Sequence, residues 1–387
     1  MRKQIIWIVA CLVLAFWGDR IIGYFFKKMT AESQFRYSKL YNSTDAADAA
    51  DILLVGNSRG LTFYQPEVER LTQQKTTNLS YNGMPADLAK CLVADYLDRH
   101  APPKIMVVDV TMCDRDNDAL KAGFNLYTPN SPRLDTLLRG MTTGGDAWAG
   151  RKIVYGGAVS RLFRYNSEIF QRVLYHRNKP DNDWIVDRTI SESAATDTAF
   201  LSYKVRYFPN QIAHLKDMIA VAQSKGVDVR LVINPYFPPF AATIRDSFLT
   251  PLTAAVESAT GLKIEDFSTA LTERDEIGDY QHANKKGAIH YMNILFEKGI
   301  FVANTTARST GENPLNQVNL TENPPIFTSE KAKVNVRPQA TTVHFEKTDP
   351  SVFDAKKEES KQIVEKKRPR KTRRSDFGFA VDTVGWR

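Results

Sequence analysis

The chain alternates between short runs that are apolar throughout and longer segments with apolar positions at helical spacing. Ile52-Leu53-Leu54-Val55, "KIMVVDV" (104–110), "DVRLVINPY" (228–236) and "LKIEDFS" (262–268) read as strands, and "TTNLSYNG" (76–83) as a shorter strand ended by glycine. Leu88, Cys91, Leu92 and Tyr96 share one face of a predicted helix over 85–100, and further helices are expected near 158–175, 209–225, 241–259 and 285–298. Strands that are apolar throughout, rather than alternating, belong to parallel sheets covered on both faces. The pattern therefore predicts an α/β protein, a three-layer α/β/α sandwich with a parallel central sheet over residues 51–302. The alternation lapses between 114 and 200, which reads as an insertion between two units of that sheet.

Both ends break the pattern. Thirteen apolar residues run from Ile5 to Trp17, Asp19-Arg20 interrupts them, and Ile21 to Phe26 resumes the run. With no small-x-small cleavage site after it and with Trp17 and Tyr24 at its end, residues 1–28 are expected to be an uncleaved signal anchor, a membrane helix. A cleaved signal or an amphipathic, buried helix are the alternatives. Flanking charges are balanced; the usual behaviour of such anchors puts the helix in the cytoplasmic membrane as a single pass with the body on the periplasmic side. Residues 29–50, polar and rich in Ala and Asp, are expected to form a stalk. From 303 to 387 periodicity vanishes into Pro, Thr, Asn, Lys and Glu, which predicts a disordered basic tail, with "FGFAVDTVGW" (377–386) as the part able to dock.

Charge sharpens this division. The formal net charge is +8 over 387 residues, but the segment from Ala303 onward carries 16 Lys/Arg against 11 Asp/Glu, so five of the eight charges belong to the tail. The body is nearly neutral. The run "KKRPRKTRR" has no interleaved aromatic residues and no nucleic-acid-binding fold beside it, so no nucleic acid is expected as a partner. Three cysteines (Cys11, Cys91, Cys113) build no disulfide framework, and no Cys/His spacing suggests a metal site; no cofactor is expected. "IVAC" resembles a lipoprotein processing site, but only six apolar residues precede Cys11 and the run continues past it.

Candidate chemistry lies where strands end. In a parallel α/β sheet the active crevice is at the carboxyl ends of the strands. "GNSR" (56–59) ends the first strand and places Ser58 there, as a nucleophile or as an amino-cap of the next helix. Asp279 and His282, three residues apart in "GDYQHANKKGA", sit after the last strand. A serine needs a base to take its proton, and the base needs a third group to fix its tautomer. Ser58, His282 and Asp279 supply those roles; His290 has no carboxylate near it in sequence and reads as a bystander.

With these blocks in this order, the chain resembles the SGNH (GDSL-like) hydrolases, especially the membrane-anchored envelope branch of DltD-like and alginate O-acetylation proteins. The likeness covers roughly 50–115 and 205–300 and rests on "GNSR", "YNG" and the Asp-x-x-His block. It implies a flavodoxin-like α/β/α fold, with Ser58 as nucleophile, His282 as base and Asp279 as its orienter. It also implies an oxyanion hole made by the amides of Ser58 and Gly83. The family's third donor is an asparagine, and here Cys113 stands in its place, leaving Asn82 or Asn234 as replacements. The expected activity is a serine-dependent esterase or O-acyltransferase, transferring an O-acetyl group on a cell-envelope or secreted polysaccharide. The expected partners are an acylated carbohydrate and, for transfer, a membrane acyl-donor protein. A degraded relative that only binds glycan or a partner is the alternative.

Overall fold

Apolar on every side, Ile52–Val55 can only be satisfied between other strands, and it forms β1 at the centre of a sheet. The computed structural model describes residues 2–42, 49–141, 154–165, 168–183, 185, 187–196 and 204–303. β2 (Thr76–Asn78) and β3 (Ile105–Asp109) flank β1, and β4 (Asp228–Ile233) and β5 (Ile264–Asp266) extend the sheet beyond β3. The order is β2-β1-β3-β4-β5 and every pairing is parallel, with Ile52 opposite both Thr76 and Ile105 and with Val108 opposite Leu231. This is the doubly wound, flavodoxin-like order, whose crevice opens at the carboxyl ends of β1 and β3.

Helices cover both faces. α3 (Gln65–Thr72) and α7 (Lys285–Glu297) pack together on one, and α4 (Ala86–Arg99), α5 (Pro209–Ser224) and α6 (Thr250–Thr260) pack side by side on the other. The α/β/α sandwich thus follows the sequence pattern closely. Predicted strand 228–236 stops at Ile233, because Pro235 has no amide to donate to a ladder. Predicted strand 76–83 keeps only three residues, and Tyr81–Met84 turns instead, with Met84 N donating to Tyr81 O. Within the predicted helix 158–175 the described residues form helix at Arg161–Tyr165 and Glu168–Tyr175, and residues 166–167 lie outside the description. Elsewhere in the 114–200 insertion, Asp118–Gly123 and Pro132–Gly140 are helices that the pattern did not disclose.

The stalk is corrected. α1 continues from Arg2 to Glu32 and α2 (Arg36–Asn42) follows almost at once, with Phe35 and Tyr37 fully buried. Tyr37 Oη donates to Leu79 O, and Arg36 Nη1 donates to the carbonyls of Asn78 and Ser80, so this segment caps the end of β2. Arg36 is also ion-paired with Asp181 of the insertion at 2.9 Å, both side chains at most 5% exposed. Four aromatic residues dispersed among polar ones (Phe35, Tyr37, Tyr41 and, across the interface, Tyr127) hid this core contribution from a reading based on composition. Residues 43–48 of the expected stalk, and the expected tail from 304 onward, lie outside the described residues.

α1 is long and apolar enough to cross a membrane, and its apolar window is not buried against the protein. The polar pair that interrupts it is used: Asp19 accepts from Ser160 Oγ and from the amides of Arg161 and Leu162, and Arg20 donates to Val159 O. The insertion therefore holds α1 directly.

Candidate active site

The turn after β1 is built around close backbone approach. A Cβ on Gly56 would lie 2.8 Å from Gly60 Cα and 3.0 Å from Asp109 Cβ, so the chain can reverse here only with glycine. Asn57 is buried and its Oδ1 accepts from Arg59 N at 3.0 Å, tightening the turn into the short 3₁₀ helix Arg59–Thr62. Ser58 occupies the amino-cap position of that helix, yet its side chain makes no capping hydrogen bond. Its hydroxyl is left available, which answers the cap reading for this residue.

On the other side, β6 (Ile277–Asp279) and β7 (His282–Ala283) form a tight antiparallel hairpin in which Asp279 and His282 face each other. Asp279 Oδ1 accepts from His282 Nδ1 at 2.7 Å and from Gln281 N at 2.9 Å, while Oδ2 accepts from Arg188 Nη2 at 2.9 Å. Burial works against the Asp279 charge, but the bond to His282, the Gln281 amide and Arg188 outweigh it and hold the carboxyl at about 2. Asp279 is therefore ionised at neutral pH and fixes the Nδ1–H tautomer, leaving Nε2 as the basic nitrogen. His282 Nε2 is sealed from solvent and has no hydrogen-bond partner among the described residues.

Arg59 joins these halves. Its buried guanidinium donates to Thr111 Oγ1 and Thr111 O at the end of β3, to Asp114 Oδ2, and through Nη1 to Gln281 Oε1 at 3.0 Å. Arg59 and Gln281 are the direct neighbours in sequence of Ser58 and His282, so this bond brings together the two segments that carry them. The Ser58 hydroxyl is not bonded to Nε2 in this structure, and catalytic hydrogen bonds of this kind commonly tighten only when substrate is bound.

The oxyanion candidates separate clearly. The backbone N–H groups of Ser58 and Gly83 are bonded to no group among the described residues. Gly83 holds φ at +68°, and its carbonyl accepts from Asn117 Nδ2. Asn82 is exposed beside it. Asn234 is fully buried and its amide is already committed to Arg59 O (3.0 Å) and Asp109 Oδ2 (3.4 Å), with Oδ1 accepting from Tyr291, so no donor is left for a substrate. Cys113 is buried too, its thiol held neutral by that burial. Replacing Cys113 with Asn is thus expected to bury an unpartnered amide and lower stability by about 1–3 kcal/mol, read as a fall in melting temperature, with no gain in turnover.

His290, expected to stand alone, pairs with buried Glu276 at 2.9 Å. Sequence reasoning also missed Arg59, Arg188 and Gln281. Arg59 carried a weak signal, a charged residue directly behind the serine; Arg188 carried none, being 91 residues from its partner. Among the described residues no group of three or more His, Cys, Asp or Glu side chains is placed to hold a metal ion.

No family model matches the chain, and no curated protein matches it. Among solved structures it is similar to one described as a "putative acylhydrolase" from Bacteroides fragilis, at a TM-score of 0.32 and 11% identity, over 64% of this chain and 85% of that one. Likeness that loose carries no functional argument, and the side chains must carry it.

Proposed function

We propose that this protein is a serine-dependent esterase or O-acyltransferase acting on an acylated carbohydrate of the cell envelope or of a secreted polysaccharide. One observation carries the reading: a histidine oriented by an ionised carboxylate presents a sealed, unpartnered Nε2 beside a strand-end turn whose serine serves no cap. In the reaction Ser58 Oγ attacks the ester carbonyl as Nε2 takes its proton. Asp279 stabilises the imidazolium, and the free amides of Ser58 and Gly83 receive the oxyanion. Collapse of the tetrahedral intermediate expels the alcohol, which takes the proton back from His282. Water then resolves the acyl-enzyme in hydrolysis, or a sugar hydroxyl in transfer. α1 supports placement in a membrane as a single pass; the proposal puts the body on the outer side, where a membrane acyl-donor protein would load Ser58.

The test is covalent labelling of the full chain in detergent by a fluorophosphonate probe. Wild type is expected to label and Ser58→Ala to lose all label with an unchanged melting temperature. Equal labelling of both proteins would remove Ser58 from the chemistry. A second reading, a binding protein that has lost catalysis, is favoured by the commitment of Cys113 and Asn234 to the interior; it predicts a folded wild type that does not label.

A further inference from the structure

Beside the Ser58 turn lies a crevice of about 180 Å³ whose charged lining is mostly basic: Arg59, Arg115, Lys204 and Arg206 against Asp114. Arg59 and Gln281 form its inner wall, so it adjoins both halves of the candidate site. Its single carboxylate, Asp114, is buried and already accepts from Arg59 Nη2 at 2.7 Å and from Arg115 Nε at 2.5 Å and Nη2 at 2.9 Å. Burial opposes the Asp114 charge, but the two guanidiniums hold its carboxyl below the usual range, so it remains a satisfied anion.

The donors, by contrast, are in excess. Arg115 keeps Nη1 unbonded and directed toward Gly83, 3.7 Å from where a Cβ on that glycine would be. Lys204 and Arg206, exposed at the mouth, form no ion pair among the described residues, and Arg206 rests 5.0 Å above the Phe208 ring. Behind them the Tyr236 ring is buried, with the Arg59 guanidinium 5.2 Å from its centre. A cleft walled by protein and lined by one sign of charge focuses its field on whatever enters. Phe208 and Phe240 add apolar walls on which the flat face of a sugar or an acyl chain can lie.

We infer that Arg115, Lys204 and Arg206 form a subsite for an anionic group, a carboxylate or a phosphate, carried by the substrate whose ester is presented to Ser58. This rests on the esterase reading above for what happens to the ester, but not for the binding of the anion. The site selects charged carbohydrate over neutral and sets the distance between the charge and the acyl group. Carboxylate and phosphate both match the donor array; bidentate pairing with Arg206 is open to either, and Arg115 adds a single donor through Nη1.

The experiment separates the two layers. Binding of methyl glucoside, methyl glucuronide and methyl glucoside 6-phosphate is measured by calorimetry on the full-length Ser58→Ala protein in detergent, where no turnover intervenes. The O-acetyl esters of the same three sugars are then compared as kcat/KM on wild type. At least one charged sugar is expected to bind about tenfold more tightly than the neutral one, to be turned over with a matching preference, and to lose that preference as ionic strength rises. Which charged sugar is preferred identifies the group. In the Lys204→Gln/Arg206→Gln variant, both residues being at the surface, the ratio of charged to neutral is expected to fall toward one. Equal binding of all three sugars to the Ser58→Ala protein overturns the subsite. Charged preference in binding with no turnover of any ester overturns the esterase reading and leaves the subsite standing.

Discussion

Changing Asp279 to asparagine is expected to lower kcat/KM on a simple aryl ester by about 10⁴-fold while leaving the fold intact. The carboxylate accepts Nδ1–H at 2.7 Å and thereby dictates which nitrogen of His282 is basic. A carboxamide at the same place can offer its N–H₂ to Nδ1, moving the proton to Nε2 and turning the base into a donor facing Ser58. In that orientation its oxygen still accepts from Arg188, and the Gln281 amide, which shares Oδ1 with His282, is the donor left facing an N–H₂. The pH dependence has a definite sign. The folded Asp279 carboxyl is held at about 2, below its ordinary value, so its pairing stabilises the protein fully above about pH 5 and loses that contribution as pH falls through the folded value. The stability difference between wild type and Asp279→Asn should then be constant from neutral pH down to mildly acidic conditions and shrink toward pH 2. A difference that instead changes near neutrality would mean that another group titrates with it.

Truncating Asp181 to alanine should have the largest effect on stability, a loss of about 3–5 kcal/mol, or roughly 6–20 °C in melting temperature. Arg36 is almost wholly enclosed, and burial opposes its charge; Asp181 offsets that by accepting from Arg36 N and Nε through Oδ2 and from Nη2 through Oδ1. Without the carboxylate a guanidinium remains locked under the insertion, its charge facing the neutral carbonyls of Asn78 and Ser80. The double variant Asp181→Ala/Arg36→Leu removes the stranded charge and is expected to recover part of the loss. No recovery would show that the carbonyl contacts of Arg36, rather than its charge pairing, hold α2 in place.

The two effects differ in how far they could be read in advance. Asp279 and His282 are three residues apart in a polar turn, and a turn brings such neighbours together by itself, so their pairing was legible. The strands were legible for a similar reason, since Ile52–Val55 and Ile105–Val108 are apolar without interruption and only a doubly covered sheet accepts that. Arg36 and Asp181 are 145 residues apart, and a bond over that span leaves no periodicity in either segment. The same holds for Arg59 and Gln281, 222 residues apart, though their neighbours Ser58 and His282 were both identified. Asn234 was read as a replacement oxyanion donor, and Cys113 as standing in the missing donor's place, because sequence gives position along a strand end and not the direction of a side chain. Both turn inward, where Arg59 O, Asp109 and Tyr291 claim the amide and apolar packing claims the thiol.

The continuity of α1 with the body has a consequence for reach. An enzyme on a loose tether searches a hemisphere and meets substrates at many heights above the surface to which it is tied. Here only three residues separate Glu32 from Arg36, Phe35 among them is fully buried, and Asp19 is clasped by three donors of the insertion. The helix and the crevice therefore move as one piece, a fixed post in place of a leash. On the polysaccharide proposed above, such a machine could not lean toward its substrate; the polymer would have to be threaded past it at one set level, and acyl groups would be handled only on the stretch of chain that crosses that level.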